Sequence, residues 1–312
     1  MLFSLALFVT VDARSGAKSE DLPSALPAFV PPPGGGGKFV LRSFDGETVP
    51  TRNYSIKCAL GELPNFSARR LDDCHSASVV DVVGWPNVGL LHFAIDPNDA
   101  QISDGTRAEL RDLFEAHNGD EQWYRFSTLL PRNFPSDQAP GVVLAQWHER
   151  LASGDALRPP LALRLVGGKF AVTVWNADIY REQAGDGDGA TVYRGDVDPR
   201  GMINEFVFRI AWNANATGGV TAWRRDGCLL PTPRCQAGPW QQIIKYAGPI
   251  GYPQAAGYYF KFGVYTTHHF TERLAVYHFG YRSGQSAASI GTREAIFLQP
   301  ASESVMHLPP RN

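Results

Sequence analysis

Hydrophobic and polar residues alternate through most of the chain after residue 78. In "EFVFRIAW" (205–212), Phe206, Phe208, Ile210 and Trp212 fall on one side of an extended backbone, and Val207, Arg209 and Ala211 fall on the other. A two-residue period marks a strand with one face in a core and one face turned away from it. "YYFKFGVYTT" (258–267) repeats the pattern, with Phe260, Phe262 and Val264 on the core side and Tyr259, Lys261, Gly263 and Tyr265 opposite. Comparable runs predict strands at 79–85, 88–95, 107–111, 122–130, 141–149, 161–167, 169–175, 219–225 and 273–282. Gly, Pro, Asn and Asp divide them, and "WNANATGGVTAWRRDG" reads as two strands joined by a Gly/Asn-rich turn. A run of helix formers occurs in "TRAELRDLFEAHN", and "QQIIKY" (241–246) suggests a short helix. Many strands, frequent turn signals and almost no helix predict an all-β sandwich or jelly roll, with no internal repeat of fixed period.

The ends of the chain read differently. Residues 2–11 form an apolar run followed by "VDA", which predicts a signal peptide over 1–13 cleaved near Ala13. The run lacks a basic leading region, so a buried strand is the rival reading. It is also well short of the ~20 apolar residues that a membrane span requires. Residues 14–37, ending "PAFVPPPGGGG", have linker composition. A single β domain is expected over 38–312.

Composition bounds the function. The 312 residues are 44% hydrophobic, 12% aromatic and 19% charged, enough apolar material for a sizeable core. A net charge of −2 gives no global electrostatic basis for binding nucleic acid or an anionic membrane, though a local basic cleft is compatible with it. A monomer is expected. Cys58, Cys74, Cys228 and Cys235 allow three pairings, and Cys58–Cys74 with Cys228–Cys235 is preferred because both loops are short. Zinc is the rival, without the usual ligand spacing. Sequons at Asn53, Asn65 and Asn215 fit a secreted protein, extracellular or periplasmic. "GDGDG" (185–189) resembles a fragment of a calcium loop and reads as a solvated loop, with a structural calcium ion as the alternative.

Candidate chemistry comes from the outward-facing positions. "RAELR" aligns Arg107, Glu109 and Arg111, "AQWHE" aligns Gln146 and His148 against Trp147, and the 258–267 strand aligns Tyr259, Lys261 and Tyr265 around Gly263. Taken singly, these are a salt-bridge ladder, a hydrogen-bonded histidine and an ordinary amphipathic strand. Gathered on one sheet, cations, an amide, an imidazole and a phenol suit an anionic sugar. The matching reaction is β-elimination from a uronic acid unit. Abstraction of the C5 proton is hard because the adjacent carboxylate resists a second negative charge, which Arg111 and Gln146 would offset. His148, ordinarily near ~6.5, and Tyr265, near ~10, would share the base and acid roles, with Lys261 beside Tyr265 able to lower its pKa.

These residues carry a resemblance. "RAELR", "QWH" and "YYFKFGVY", in that order over roughly 80–285, look like the three strand motifs of the jelly-roll polysaccharide lyases. "KFGVY", with Phe262, is closer to the glucuronan lyase and heparin lyase I group than to the alginate lyases, which have alanine there. The resemblance implies a β-jelly roll sandwich with a concave substrate-binding sheet, acting on an anionic uronide without an organic cofactor. It implies catalytic roles for His148, Tyr265, Gln146 and Arg111, and substrate contacts or support from Lys261, Arg107 and Glu109. Tyr259 and His268 are candidate substrate contacts at the cleft. "YTTHH" and Trp147 depart from the alginate pattern. Two rival functions remain. One is a lectin-like domain on the same fold. The other is a glycoside hydrolase, which would need a second carboxylate that the strands do not offer. Trp123, Tyr124, Trp212 and Trp223 are candidates for stacking on sugars, and His92 for a sheet or cleft position.

Overall fold

The computed structural model describes residues 91–101, 105–135, 141–151, 157–183, 187, 189–227 and 237–292, and before residue 91 the backbone of six strand segments. All four cysteines' side chains, the sequons at Asn53 and Asn65, most of "GDGDG" and the N-terminal signal and linker lie outside the described residues.

In chain order the strands are β1 (Leu41–Arg42), β2 (Thr48–Val49), β3 (Tyr54–Cys58), β4 (Gly61–Leu63), β5 (Ala77–Val82), β6 (Trp85–Ile95), β7 (Thr106–Ala116) and β8 (Glu121–Leu129). There follow β9 (Val142–Leu151), β10 (Leu161–Val166), β11 (Lys169–Val174), β12 (Ala190–Arg194), β13 (Ile203–Ala211), β14 (Gly219–Asp226), β15 (Gln241–Ala247), β16 (Ala255–Thr266) and β17 (Leu274–Gly284). One sheet has the order β12-β11-β10-β9-β16-β7-β3-β4, and a second has β15-β14-β13-β8-β17-β6-β5. Ladders between the strands are antiparallel throughout. This is the predicted all-β jelly-roll sandwich.

The core lies between the inward faces, where the alternation placed it. Phe206, Phe208 and Ile210 from one sheet meet Trp147, Phe260 and Phe262 from the other, all at most 1% exposed. Trp147 and Phe208 approach to 4.7 Å between ring centroids. Rings this large and close supply most of the apolar area that holds a sandwich shut.

Local propensity misleads at two places. "QQIIKY" forms strand β15, not a helix, pairing with β14 along its length. The helix formers of "TRAELRDLFEA" form β7, because that strand is wanted on both sides, by β16 and by β3. Pairing outweighs propensity there. The short helix α1 (Ala177–Glu182) has a side-chain cap, Asn176 Oδ1 accepting from the amides of Asp178 and Ile179.

Three bulges shape the centre of the eight-stranded sheet. Leu144 is an extra residue of β9 against β10, and β16 gains one residue against β9 between Phe262 and Tyr265. On β7, Asp112, Leu113 and Phe114 together face Phe260, so Tyr259 pairs with Glu115 while Lys261 pairs with Arg111. Bulges re-aim side chains next to them.

Candidate active site

β9, β16 and β7 are neighbours, so the three polar motifs share one outward face. Register sets them in rows. His148 faces Tyr259, which faces Glu115; Gln146 faces Lys261, which faces Arg111. Further along β16, Gly263 pairs with Glu109, and Tyr265 lies between Val143 and Arg107. The imidazole and the phenol therefore stand on opposite sides of the Gln146–Lys261–Arg111 row. His268 follows β16 and is exposed, its amide bonded to Thr266 Oγ1.

A buried carboxylate organises the floor. Glu109 accepts from Gln146 Nε2, from Lys261 Nζ at 3.2 Å and from Arg107 at 3.4 Å. Burial pushes its carboxyl up, but Lys261, Arg107 and the Gln146 hydrogen bond outweigh that and hold it below the usual carboxylate range. An ionised Glu109 only accepts, which fixes the Gln146 amide with its nitrogen inward. Two buried cations thus share one buried carboxylate. Lys261 was expected to touch the substrate or to lower the pKa of Tyr265. It is 4% exposed and pairs with Glu109.

Tyr265 is tuned by different neighbours. The Arg107 guanidinium lies 3.9 Å from its ring centroid, and the ring packs against Gly105, where a Cβ would come within 2.3 Å of it. Burial pushes the phenol's pKa up, with Arg107 opposing and Glu109 reinforcing, so the group stays protonated at neutral pH. Gly263 has φ +150, and a Cβ on it would lie 2.1 Å from the Ala108 carbonyl oxygen. The space a side chain would take there is filled by β7.

Tyr259 is a spacer between two candidate groups. Arg111 stacks on it with Cζ 3.8 Å from the ring centroid, and His148 lies nearly parallel to it at 5.7 Å between centroids. Arg111 also pairs with Glu115 at 3.1 Å, and Glu115 in turn with Arg150 at 2.7 Å. His148 turns Nδ1 to Glu149, 3.1 Å from its carbonyl oxygen and 3.2 Å from Oε2.

Sequence reading missed three contributors. Arg164 on β10 stands in the same row as Val143 and Tyr265, and the alternation of "LALRLVG" is the signal that places it opposite Leu163 and Leu165. Gly105 reads as a turn residue, and Glu149 as a residue of the opposite face. Other candidates leave the site. His92 lies on the seven-stranded sheet against Tyr277, and burial, then Arg273, lower its pKa to about 4. Trp123 and Trp223 stack on each other there, while Tyr124 and Trp212 are core. Among the described residues, no group of three or more His, Cys, Asp or Glu is placed to hold a metal ion.

The sequence pattern of the family described as polysaccharide lyase matches residues 62–285. No curated protein matches the chain in sequence. Solved structures do match it. An endo-β-1,4-glucuronan lyase from the fungus Trichoderma reesei superposes with a TM-score of 0.52 at 17% identity, covering 69% of this chain and 88% of its own. Alginate lyase A1-II', a member of polysaccharide lyase family 7, gives 0.51 at 13% identity, covering 76% and 96%. At such identities the likeness speaks for the fold.

Proposed function

This chain belongs to the polysaccharide lyase family, and from that premise we propose that it cleaves a uronic-acid-containing polysaccharide by β-elimination. The observation that carries the reading is the pairing of a protonated phenol and an imidazole across a cation-rich row on one sheet face.

The carboxylate of the bound uronate lies over the row, where Arg111 and the second N–H of the Gln146 amide offset the charge that grows on it as C5 loses its proton. His148 Nε2 takes the C5 proton, and the C5–H electron pair forms the C4–C5 double bond. The C4–O4 bond breaks, and Tyr265 passes its phenolic proton to the departing O4. Nothing beyond these side chains is needed for the step. Glucuronan, alginate and heparin-like chains are the substrates to try, the first two because the matched structures are lyases of those polymers.

Incubating the protein with each polymer and following the ultraviolet absorbance of unsaturated ends tests the reading. Absorbance should rise with at least one of them, and Tyr265→Phe should lower the rate by roughly 10²- to 10⁴-fold, the usual worth of a general acid. Retention of polymer with no unsaturated ends would instead mark a lectin-like domain. New reducing ends without the absorbance would mark a hydrolase.

A further inference from the structure

Glu149 is the one buried carboxylate beside the candidate base that the reaction described above does not use. Strand alternation sends it to the core side of β9, and its side chain has no solvent exposure. Oε1 accepts from the Leu157 amide at 2.6 Å. Oε2 has no hydrogen-bond partner in the structure, and His148 Nδ1 lies 3.2 Å away. An uncompensated buried carboxylate oxygen is costly, and a proton held on Nδ1 relieves it.

We propose that Glu149 is a positioning residue for His148. Its carboxylate and its own carbonyl, 3.2 and 3.1 Å from Nδ1, keep the proton on that nitrogen and leave Nε2 unprotonated towards the cleft. When Nε2 accepts the C5 proton, the imidazolium stays paired with a carboxylate. The inference rests on the reading of His148 as the base, and it follows from a residue adjacent in the chain that the three strand motifs do not include.

Two substitutions separate positioning from packing. In Glu149→Gln the Leu157 amide retains the side-chain oxygen, so the new NH₂ turns to Nδ1 and donates to it. The imidazole is then driven to the Nε2–H form, which cannot act as base. In Glu149→Ala the backbone carbonyl remains and still favours Nδ1–H. The isosteric Gln variant should therefore lose more kcat than the Ala variant, roughly 10³- to 10⁴-fold as for other wrong-tautomer histidines, with KM little changed. A packing role gives the reverse order, because Ala removes more atoms, and that order would overturn the proposal. The ¹⁵N shifts of the His148 ring read the tautomer without turnover. Nδ1–H in the wild type and Nε2–H in Glu149→Gln are expected, and Nε2–H in the wild type would sink the idea. If the wild type releases no unsaturated ends but shows Nδ1–H, the lyase reading fails and the tautomer assignment stands.

Discussion

At the scale of single residues, the site depends on Glu109 as much as on the groups that would meet a sugar. Its carboxylate holds Gln146, Lys261 and Arg107 at once, with 2% of its own surface exposed. Glu109→Gln keeps the shape and removes the carboxylate with which Lys261 and Arg107 both pair. Breaking such an arrangement from one side usually costs about 3–5 kcal/mol. We expect a denaturant midpoint lowered accordingly, with activity lost beyond what unfolding explains because the Gln146 amide is free to turn. An unchanged midpoint would refute the hub. The sequence offered Glu109 as a cleft residue or a brace for Arg111. Its true partners, 37 and 152 residues away, were not legible, since alternation states a face and not a neighbour.

At the scale of elements, β16 is the axis of the site, flanked by β9 and β7. Its alternation was plain in the sequence, as was its core face. The bulge between Phe262 and Tyr265 was not, and it is what brings the phenol into line with Val143, while the pairing with Arg107 runs on unbroken. Gly263 permits it, and Gly263→Ala would drive a methyl group into the Ala108 carbonyl at a backbone angle that side chains avoid. The expected cost is about 3 kcal/mol or more, from strain and clash together. Circular dichroism and a denaturant titration check it; wild-type stability in that variant would mean that β7 gives way without penalty. "QQIIKY" teaches the same lesson from the other side. Its composition tolerates helix, and the unpaired edge of β14 made it a strand.

At the scale of the molecule, the two sheets are tied through His278, which is fully buried between them. Nε2 donates to the Gly263 carbonyl at 3.0 Å, directly beneath the site, and Nδ1 accepts from Thr128 Oγ1 at 3.0 Å. Burial lowers its pKa to about 4, against hydrogen bonds that favour the charged form. With a folded pKa below the unfolded one, the unfolded chain takes up a proton first as pH falls from 6.5 towards 4. Stability should therefore drop by roughly 3 kcal/mol across that window, with His92 adding to it and Asp112, raised by burial, opposing. Glu109 contributes at lower pH, its stabilisation being lost as pH falls below the usual carboxylate range. Denaturant midpoints between pH 7.5 and 4.5 measure the slope. His278→Gln should start lower at pH 7.5 and fall less steeply, and an equal slope in both proteins would remove His278 from the account.

The sequence alone determined that the chain would form a β-sandwich, which face of its alternating strands would be buried, and which polar residues would lie on the opposite face. A two-residue period encodes facing directly, and that information is local. Only the tertiary structure decided that β7, β9 and β16 stand side by side, that bulges slide their registers, and that Glu109 and Glu149 hold the site from beneath. Pairing order and buried electrostatics arise from contacts between distant segments, where the free energy of closing the core selects among faces that the local pattern leaves equivalent.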